Sequence, residues 1–244
     1  MVKTWTVGYW PIPFRGNFVK VILEYAGEEY DVMETSEVIQ LKTAAVSAQP
    51  VPFIGPPFLL HNESGFAISQ TAAIVEYLVR KFGFVPESPE LAALAQKAVL
   101  DCIDVLVEIT RHNGNQMWTR DAWSEFRGPG KRLDQCLGVL EELAKRHGLK
   151  EEHSTGFFLG TEKMSAADFA VYALFEQLAR CMPPLIHDLE RAAPRVWKLC
   201  QRIGENPKLQ AFSNAQSQRW GRSFCSGQIE ASIFSMIEQD EKAS

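Results

Sequence analysis

The feature that most restricts the fold of this chain is a change of pattern near residue 84. Upstream of it, strand and helix signals alternate, and downstream of it only helical periodicity is found. The segment Phe84–Pro89 between the two parts contains two prolines, which is typical of a linker. We therefore predict an α/β domain over residues 1–83, a linker over 84–89 and an all-helical domain over 90–244.

Short strand and helix signals alternate in the first domain. Thr4–Trp10 is rich in aromatic and β-branched residues and predicts a strand, whereas apolar spacing in Asn17–Tyr25 predicts a helix. Val51–Leu60 is apolar but interrupted by prolines, and we interpret it as two short strands joined by a turn. A helix is predicted from Ala72, and the whole pattern predicts a mixed sheet. Further strands are predicted at Tyr30–Met33 and Gly65–Ile68.

The second domain contains long stretches of helical periodicity. Ser165 and Asp168 have the spacing of a capping box at the start of one of these helices, with Asp in place of Glu. Apolar residues continue beyond Gly221, so part of the C-terminal tail is expected to pack. The predicted helices are Leu91–Thr110, Asp121–Arg146, Ser165–Cys181, Leu189–Ile203 and Pro207–Trp220.

Composition excludes several classes of function. The formal net charge of −5 argues against a nucleic-acid-binding surface. The five cysteines form no CxxC pair and the five histidines form no pair at ligand spacing, which predicts a reducing compartment and no metal site. No signal-peptide pattern and no long apolar window is found, so we expect a cytoplasmic protein without a membrane partner.

Several segments together resemble the cytosolic glutathione transferases, and most closely the tyrosine-type mu, pi and sigma classes. Each segment is weak by itself, but they occur in the family's order and cover nearly the whole chain. They are Val7-Gly8-Tyr9-Trp10 with Arg15-Gly16 and Ile22-Leu23-Glu24-Tyr25, Val51-Pro52-Phe53, Ile68-Ser69-Gln70-Thr71-Ala72-Ala73-Ile74, and Gly156-Phe157-Phe158-Leu159-Gly160 before the capping box.

The resemblance implies a thioredoxin-like N-terminal domain plus an all-α C-terminal domain, which is the glutathione transferase fold. It also implies a homodimer that uses glutathione as co-substrate in detoxification, activating it as a thiolate that attacks a small hydrophobic electrophile. Two alternatives stay open, because one fold supports several functions. One is a non-catalytic binding or assembly module, and the other is a glutathione-dependent isomerase.

The chemistry requires a thiolate at neutral pH, although a free cysteine thiol has a pKa of about 8.5. A tyrosine hydroxyl that donates a hydrogen bond to the sulfur stabilises the charged form. The resemblance assigns this catalytic role to Tyr9, whereas the residue pattern alone is also satisfied by a half-buried strand aromatic. Pro13-Phe14 is interpreted as an insertion before Arg15-Gly16. In an alternative register, Ile12 occupies the position of the family's cysteine or serine, and no hydroxyl or thiol stands there.

The resemblance also implies a set of binding residues. Pro52 is expected to follow a cis peptide bond, so that Val51 pairs its main chain with the cysteinyl backbone of glutathione. Gln70 and Thr71, at a helix N-terminus, are expected to hold the γ-glutamyl end, because free amides there favour a carboxylate. Lys42 is expected to meet the glycine carboxylate, although a solvated loop lysine has the same pattern. The other predicted glutathione-binding residues are Trp10 and Arg15, and the predicted second-substrate pocket contains Ile12, Phe14 and His112.

Overall fold

The computed structural model describes residues 3–151 and 156–243, and begins with a small mixed β-sheet. The strand order is β2-β1-β3-β4, with β1 parallel to β2 and antiparallel to β3, and β3 antiparallel to β4. The central position of β1 explains why Trp5 and Val7 are fully buried. The strands are β1 Trp5–Gly8, β2 Tyr30–Val32, β3 Phe58–His61 and β4 Ala67–Ser69.

Close packing across the two central strands requires the glycine that ends β1. Gly8 lies opposite Phe58 in the β1–β3 ladder. A Cβ atom at Gly8 would lie 2.1 Å from Cζ of the Phe58 ring. Any side chain at position 8 would therefore displace this ring or separate the two strands. The chain continues from this fixed point directly into Tyr9.

Helices account for most of the remaining chain. Several begin with a proline at their first position, where the missing N–H is not needed for the helical ladder. The helices are α1 Phe14–Ala26, α2 Thr35–Thr43, α3 Thr71–Lys81, α4 Pro89–Ile109, α5 Arg120–Phe126, α6 Arg132–Arg146, α7 Ala166–Cys181, α8 Ile186–Ala192, α9 Pro194–Gly204, α10 Pro207–Trp220 and α11 Gly227–Ala243. Short 3-10 turns lie at Val46–Ala48 and Pro183–Leu185.

The capping box predicted at Ser165 is confirmed, and its carboxylate has a further role. The Asp168 carboxylate accepts from the Ser165 amide at 2.8 Å and from the Ser165 hydroxyl at 2.9 Å. It also accepts from the amide of Phe158 at 2.8 Å, and thereby ties the preceding loop to α7. Burial raises the pKa of Asp168 to about 6 despite these hydrogen bonds, which lower it.

The structure differs from the sequence prediction where proline and glycine interrupt a periodic segment. The helix predicted over Asp121–Arg146 is two helices, because Gly128, Pro129 and Gly130 separate α5 from α6. The helix predicted over Leu189–Ile203 is divided at Pro194, where α9 begins. The first of the two strands predicted within Val51–Leu60 is absent, since residues 51–57 form bends and only β3 remains.

The C-terminal tail is the helix α11, which is fixed to the helical domain by partly buried polar contacts. The Arg127 guanidinium donates to Asp188 on α8, to Asp240 on α11 and to the carbonyl of Pro184, each at 2.8 Å. Ahead of the helix, the Phe224 ring is fully buried and lies edge-on to Phe14 at 5.3 Å between ring centres. The tail therefore returns to the N-terminal domain at the start of α1.

Candidate active site

The hydroxyl of Tyr9 lies against the N-terminus of α1. Tyr9 follows β1 directly and is 2% exposed. Its oxygen accepts a hydrogen bond of 3.1 Å from the backbone N–H of Arg15. No acceptor for the hydroxyl hydrogen is found among the described residues, so this hydrogen remains available to a bound ligand. Burial raises the pKa of Tyr9 above its ordinary value, and the side chain stays a protonated donor at neutral pH.

Gly16 allows the Tyr9 ring to reach this position. A Cβ atom built on Gly16 would lie 2.4 Å from Cδ1 of Tyr9, well inside van der Waals contact. Because position 16 has no side chain, the Tyr9 ring can pack directly against α1. This packing sets the position of the ring and the direction of its hydroxyl. The Arg15-Gly16 pair combines a backbone donor with the space that the ring occupies.

Tyr9 forms part of a cavity of about 520 Å³, which is in the size range of small-molecule sites. The cavity brings together eight residues that were predicted from the sequence to belong to the site, and they come from the segment after β1, from α1, from α2 and from the start of α3. These are Tyr9, Trp10, Ile12, Phe14, Arg15, Lys42, Gln70 and Thr71. The remaining lining residues were not predicted from the sequence, and they are Gly55, Pro56, Pro57, Thr110, Asn113, Cys225 and Ile229.

Two cationic side chains give the cavity a positive wall. The Lys42 ammonium lies 5.6 Å from the centre of the Trp10 ring. One guanidinium nitrogen of Arg15 donates to the side-chain oxygen of Asn113 at 3.2 Å. Burial lowers the pKa of Arg15, since the charge is partly removed from water. The arrangement favours an anionic ligand between Lys42 on α2 and Arg15 on α1.

Gln70 has a backbone conformation that non-glycine residues rarely adopt. Its φ of 74° lies in the positive region, directly before the first turn of α3. Thr71 follows and is buried. The first amides of α3 have no partner within the helix, and its first residues line the cavity, so these amides are available to a carboxylate there. Backbone strain of this kind persists where the surrounding structure imposes it, and it is frequent at ligand sites.

The turn between α4 and α5 forms another strained part of the wall. Arg111, His112, Asn113 and Gly114 all have positive φ angles. Asn113 lines the cavity beside Thr110, whereas His112 does not. The assignment of His112 to the second-substrate pocket is therefore not supported by the geometry. Helical spacing alone did not indicate this reversal of the backbone after α4.

The cis-proline prediction at Pro52 is wrong. Among the described residues the cis peptide bond is Pro56–Pro57, directly before β3. A strand was predicted to begin at Val51, but β3 begins at Phe58. The proline directly before the strand is therefore Pro57 and not Pro52. Neither Val51 nor Pro52 lines the cavity, and the Pro52 carbonyl instead accepts from the Ser69 hydroxyl at 3.4 Å.

The C-terminal segment closes one side of the cavity through Cys225 and Ile229. One oxygen of the Glu230 carboxylate accepts from the amides of Phe224, Cys225 and Ser226, at 2.6, 2.8 and 2.7 Å. This carboxylate holds the loop before α11 in a tight turn and fixes Cys225 at the wall. The apolar residues of the tail were the available sequence signal, but they did not reveal which face they cover.

Neither a metal-ligand cluster nor a membrane-spanning helix is found in the described residues. No group of three or more His, Cys, Asp or Glu side chains is arranged to hold a metal ion there. In the same part of the chain, every helix is too short or too polar to cross a lipid bilayer.

Comparisons with known proteins agree with this geometry. The family described as "Glutathione S-transferase, C-terminal domain" matches residues 94–236, more than half of the 244 residues. A Dictyostelium discoideum protein provisionally named glutathione S-transferase alpha-5 is 30% identical over 101 residues, or 41% of this chain. That match spans about half of the relative, 48% of its length.

Solved structures share the fold at low sequence identity. A pi-class glutathione S-transferase of Onchocerca volvulus has a TM-score of 0.71 and 19% identity, and the match covers 92% of this chain and 98% of that one. The glutathione S-transferase of Ascaris lumbricoides has a TM-score of 0.67 and 18% identity, covering 87% and 97%. The fold class predicted from the sequence is confirmed. The chain belongs to the glutathione S-transferase family.

Proposed function

We propose that this protein is a glutathione transferase in which the cavity at Tyr9 binds glutathione and activates it as a thiolate. The observation that carries the proposal is the Tyr9 hydroxyl. Its oxygen is held by the first turn of α1, and its hydrogen is free to donate to a ligand in the cavity. A donor fixed in this way stabilises a neighbouring sulfur anion more than the neutral thiol.

The polar groups of the cavity match the charged parts of glutathione. The N-terminus of α3, with Gln70 and Thr71, supplies amides and a hydroxyl for the γ-glutamyl carboxylate. Lys42 supplies a cation for the glycine carboxylate, and the nearby Trp10 ring restricts its range. In the proposed complex both ends are held and the cysteinyl sulfur lies near the Tyr9 hydroxyl, which lines the same cavity.

The prolines at positions 56 and 57 limit how the cysteinyl backbone is held. Both line the cavity, and neither carries an amide hydrogen. These two residues can therefore accept a hydrogen bond through their carbonyls but cannot donate one. We infer that glutathione relies more on its two ends for affinity than on pairing with this segment.

The proposed reaction uses the ordinary chemistry of a thiolate. Tyr9 and the amides at the start of α1 lower the pKa of the bound thiol, whose proton passes to solvent. The thiolate then attacks an electrophilic carbon, and Ile12, Phe14 and Ile229 provide an apolar surface for the electrophile. Since Tyr9 remains protonated, it acts as a hydrogen-bond donor and not as a base.

Substitution of Tyr9 by phenylalanine tests this assignment. Because one hydrogen bond to the sulfur is lost, the turnover number for conjugation of a generic aryl halide is expected to fall by about 10- to 100-fold, with KM for glutathione nearly unchanged. Tyr77→Phe removes a hydroxyl from a half-buried ring outside the cavity and is the matched control. Equal turnover in wild type and Tyr9→Phe would contradict the catalytic role. Glutathione binding without turnover in wild type would favour a non-catalytic binding module.

We also propose, from the family resemblance, that the protein acts in the cytoplasm as a homodimer with twofold symmetry. Light scattering on the purified chain measures the mass directly. A mass near twice that of the 27.5 kDa chain is expected, and a monomer mass would contradict the dimer.

A further inference from the structure

A second cavity of about 580 Å³ lies between α1, β2 and α10, and a lysine lies in its wall. Lys20 projects from α1 and is only 3% exposed. Its ammonium group has no hydrogen-bond or ion-pair partner among residues 3–151 and 156–243. Buried lysines are normally paired, so an unpaired one that borders a cavity requires an explanation.

Other buried polar groups near this cavity also lack partners in the described structure. Gln216 of α10 lines the cavity, and its side-chain oxygen is buried without a hydrogen bond. On α1, Asn17 lies one helical turn before Lys20; it does not line the cavity, and neither atom of its amide has a partner. Unsatisfied groups on two facing helices indicate that the cavity is built to hold a polar ligand.

Three of the five acidic side chains that line the cavity are engaged with groups on other residues. Glu24 accepts from the Tyr30 hydroxyl at 2.7 Å, and Glu28 accepts from the Trp5 indole at 2.9 Å. Asp31 pairs with Lys3 at 3.2 Å. Besides Lys20, the titratable side chains that line the cavity are Lys3, Glu24, Glu28, Glu29, Tyr30, Asp31, Glu34 and Arg219.

The surroundings of Lys20 favour its neutral amine. Burial is the larger cause and repulsion from Arg219 the smaller, and together they lower the pKa of Lys20 to about 8. An ion pair with a carboxylate would instead raise the pKa of Lys20. A neutral lysine amine is a nucleophile, and its usual partner in proteins is a carbonyl compound.

We propose that this cavity captures a small aldehyde that carries an anionic group, through an imine with Lys20. The neutral Nζ attacks the carbonyl carbon, and the resulting carbinolamine loses water. The product contains a C=N bond, and the carbonyl oxygen leaves in that water molecule, so no oxidant or reductant is needed. Arg219, exposed at the edge of the cavity, pairs with the anionic group, while Phe212 and Trp220 border the carbon frame.

This site is separate from the glutathione cavity in its lining residues, and the inference does not depend on the proposed transferase activity. The probe is pyridoxal 5′-phosphate, which has an aldehyde and a phosphate. After incubation and borohydride reduction of the full chain, peptide mass mapping identifies the modified lysine. At about pH 7.5 the neutral fraction of Lys20 is on the order of 100 times that of an exposed lysine. We therefore expect modification at Lys20 to be at least about tenfold faster than at any exposed lysine.

Two further measurements separate covalent capture from simple anion binding. The rate at Lys20 is expected to rise with a midpoint near pH 8, which is the pKa of its amine. Pyridoxine 5′-phosphate, which lacks the aldehyde, is expected to slow the modification if Arg219 holds the phosphate. Arg219→Gln is then expected to weaken both the modification and this protection.

Variants complete the test. Lys20→Met keeps a long apolar side chain and is expected to abolish the fast modification, whereas Lys163→Met, at an exposed loop lysine, leaves it unchanged. Uniform slow labelling of surface lysines, or an unchanged fast phase in Lys20→Met, would overturn the proposal. Binding of both phosphates with equal affinity and no reducible adduct would also overturn it, and would identify an anion site instead.

Discussion

At the scale of single residues, the proposed glutathione cavity combines backbone strain with close packing. Phe14, Gln70 and Asn113 all line it, and all have positive φ angles. Each such residue costs roughly 1–3 kcal/mol, which the surrounding structure must offset. Tyr9 adds a packing constraint, since its ring occupies the space above Gly16. Function and stability are therefore expected to respond in opposite directions to some substitutions here.

Gln70→Gly is expected to show this opposition. Glycine adopts positive φ without steric cost, so the free energy of unfolding is expected to rise by up to about 1 kcal/mol. Loss of the amide side chain is expected to weaken glutathione binding by about tenfold, because one polar contact to the γ-glutamyl end disappears. Denaturant unfolding and calorimetric titration measure the two effects. A variant that binds glutathione as tightly as wild type would remove Gln70 from the site.

Gly16→Ala tests the packing of Tyr9. The new Cβ would overlap the Tyr9 ring at 2.4 Å, so the ring must move away from the first turn of α1. We expect turnover to fall by at least about tenfold and stability to drop by about 1–3 kcal/mol.

The matched control is Gly138→Ala on α6, where nothing lies within 4 Å of the new Cβ. Replacing a helical glycine there is expected to stabilise the protein by about 0.5–1 kcal/mol and to leave turnover unchanged. If turnover and stability changed equally in Gly16→Ala and Gly138→Ala, the position of the Tyr9 ring would not depend on its contact with Gly16.

At the scale of elements, the site is formed by helix starts and by the C-terminal segment. The N-termini of α1 and α3 supply amides, and the loop before α11 supplies Cys225 to the wall. The Glu230 carboxylate receives three amides of this loop and acts as its organising centre. Hydrogen bonds to a charged group are worth more than neutral ones, so the loop depends strongly on this single side chain.

Glu230→Gln is expected to loosen the loop without unfolding the domain. Loss of the charge weakens three hydrogen bonds, and we expect a decrease in stability of about 1–2 kcal/mol. KM for an apolar electrophile is expected to rise more than KM for glutathione, because Ile229 and Cys225 shift while Lys42 and Gln70 stay in place. Steady-state kinetics with both substrates measures the difference. Glu238→Gln, at an exposed position of α11, is the control and is expected to change neither constant.

Helices were predicted correctly where the helical periodicity extended over many residues and the helix ends had capping residues. The start of α7 at the Ser165 capping box and the whole of α10 match the structure. The prediction was poor in the proline-containing segment before β3. Prolines occur in strands, turns and helix starts alike, so the pattern around Pro52 and Pro57 did not fix where β3 begins. The turn at 111–114 has positive φ angles at all four residues, but only the last of them is glycine. Because glycine is the usual sequence sign of such a backbone, the turn was not predicted.

At the scale of the whole molecule, eight of the predicted site residues line one cavity, because the fold brings together the segment after β1, α1, α2 and the start of α3. The wall contributed by α11 could not be predicted, since its position depends on long-range contacts such as those of Arg127. The cavity at Lys20 could not be predicted from the sequence either. A lysine in an amphipathic helix normally faces solvent, and only the packing of α10 against α1 buries it.

The buried amine of Lys20 has a consequence for the stability of the entire fold. Its folded pKa of about 8 lies below the unfolded value, so the unfolded chain binds the proton more tightly. The resulting penalty is complete below about pH 8 and disappears as the pH rises toward about 10.4. Lys20→Met is therefore expected to be more stable than wild type by on the order of 3 kcal/mol at about pH 7, and by roughly half of that at about pH 9.5. Urea unfolding of both proteins across this range measures the difference, and a pH-independent gap would show that the lysine is not desolvated.

The central claim is that Tyr9 and the first turn of α1 hold glutathione as a thiolate. The most direct measurement is an ultraviolet titration of the thiolate in the complex, for wild type and Tyr9→Phe under saturating glutathione. We predict a thiol pKa at least about one unit below the free value of about 8.5 in wild type, and a return toward that value in Tyr9→Phe. An unshifted pKa in saturated wild type, or the same lowered pKa in both proteins, would contradict it.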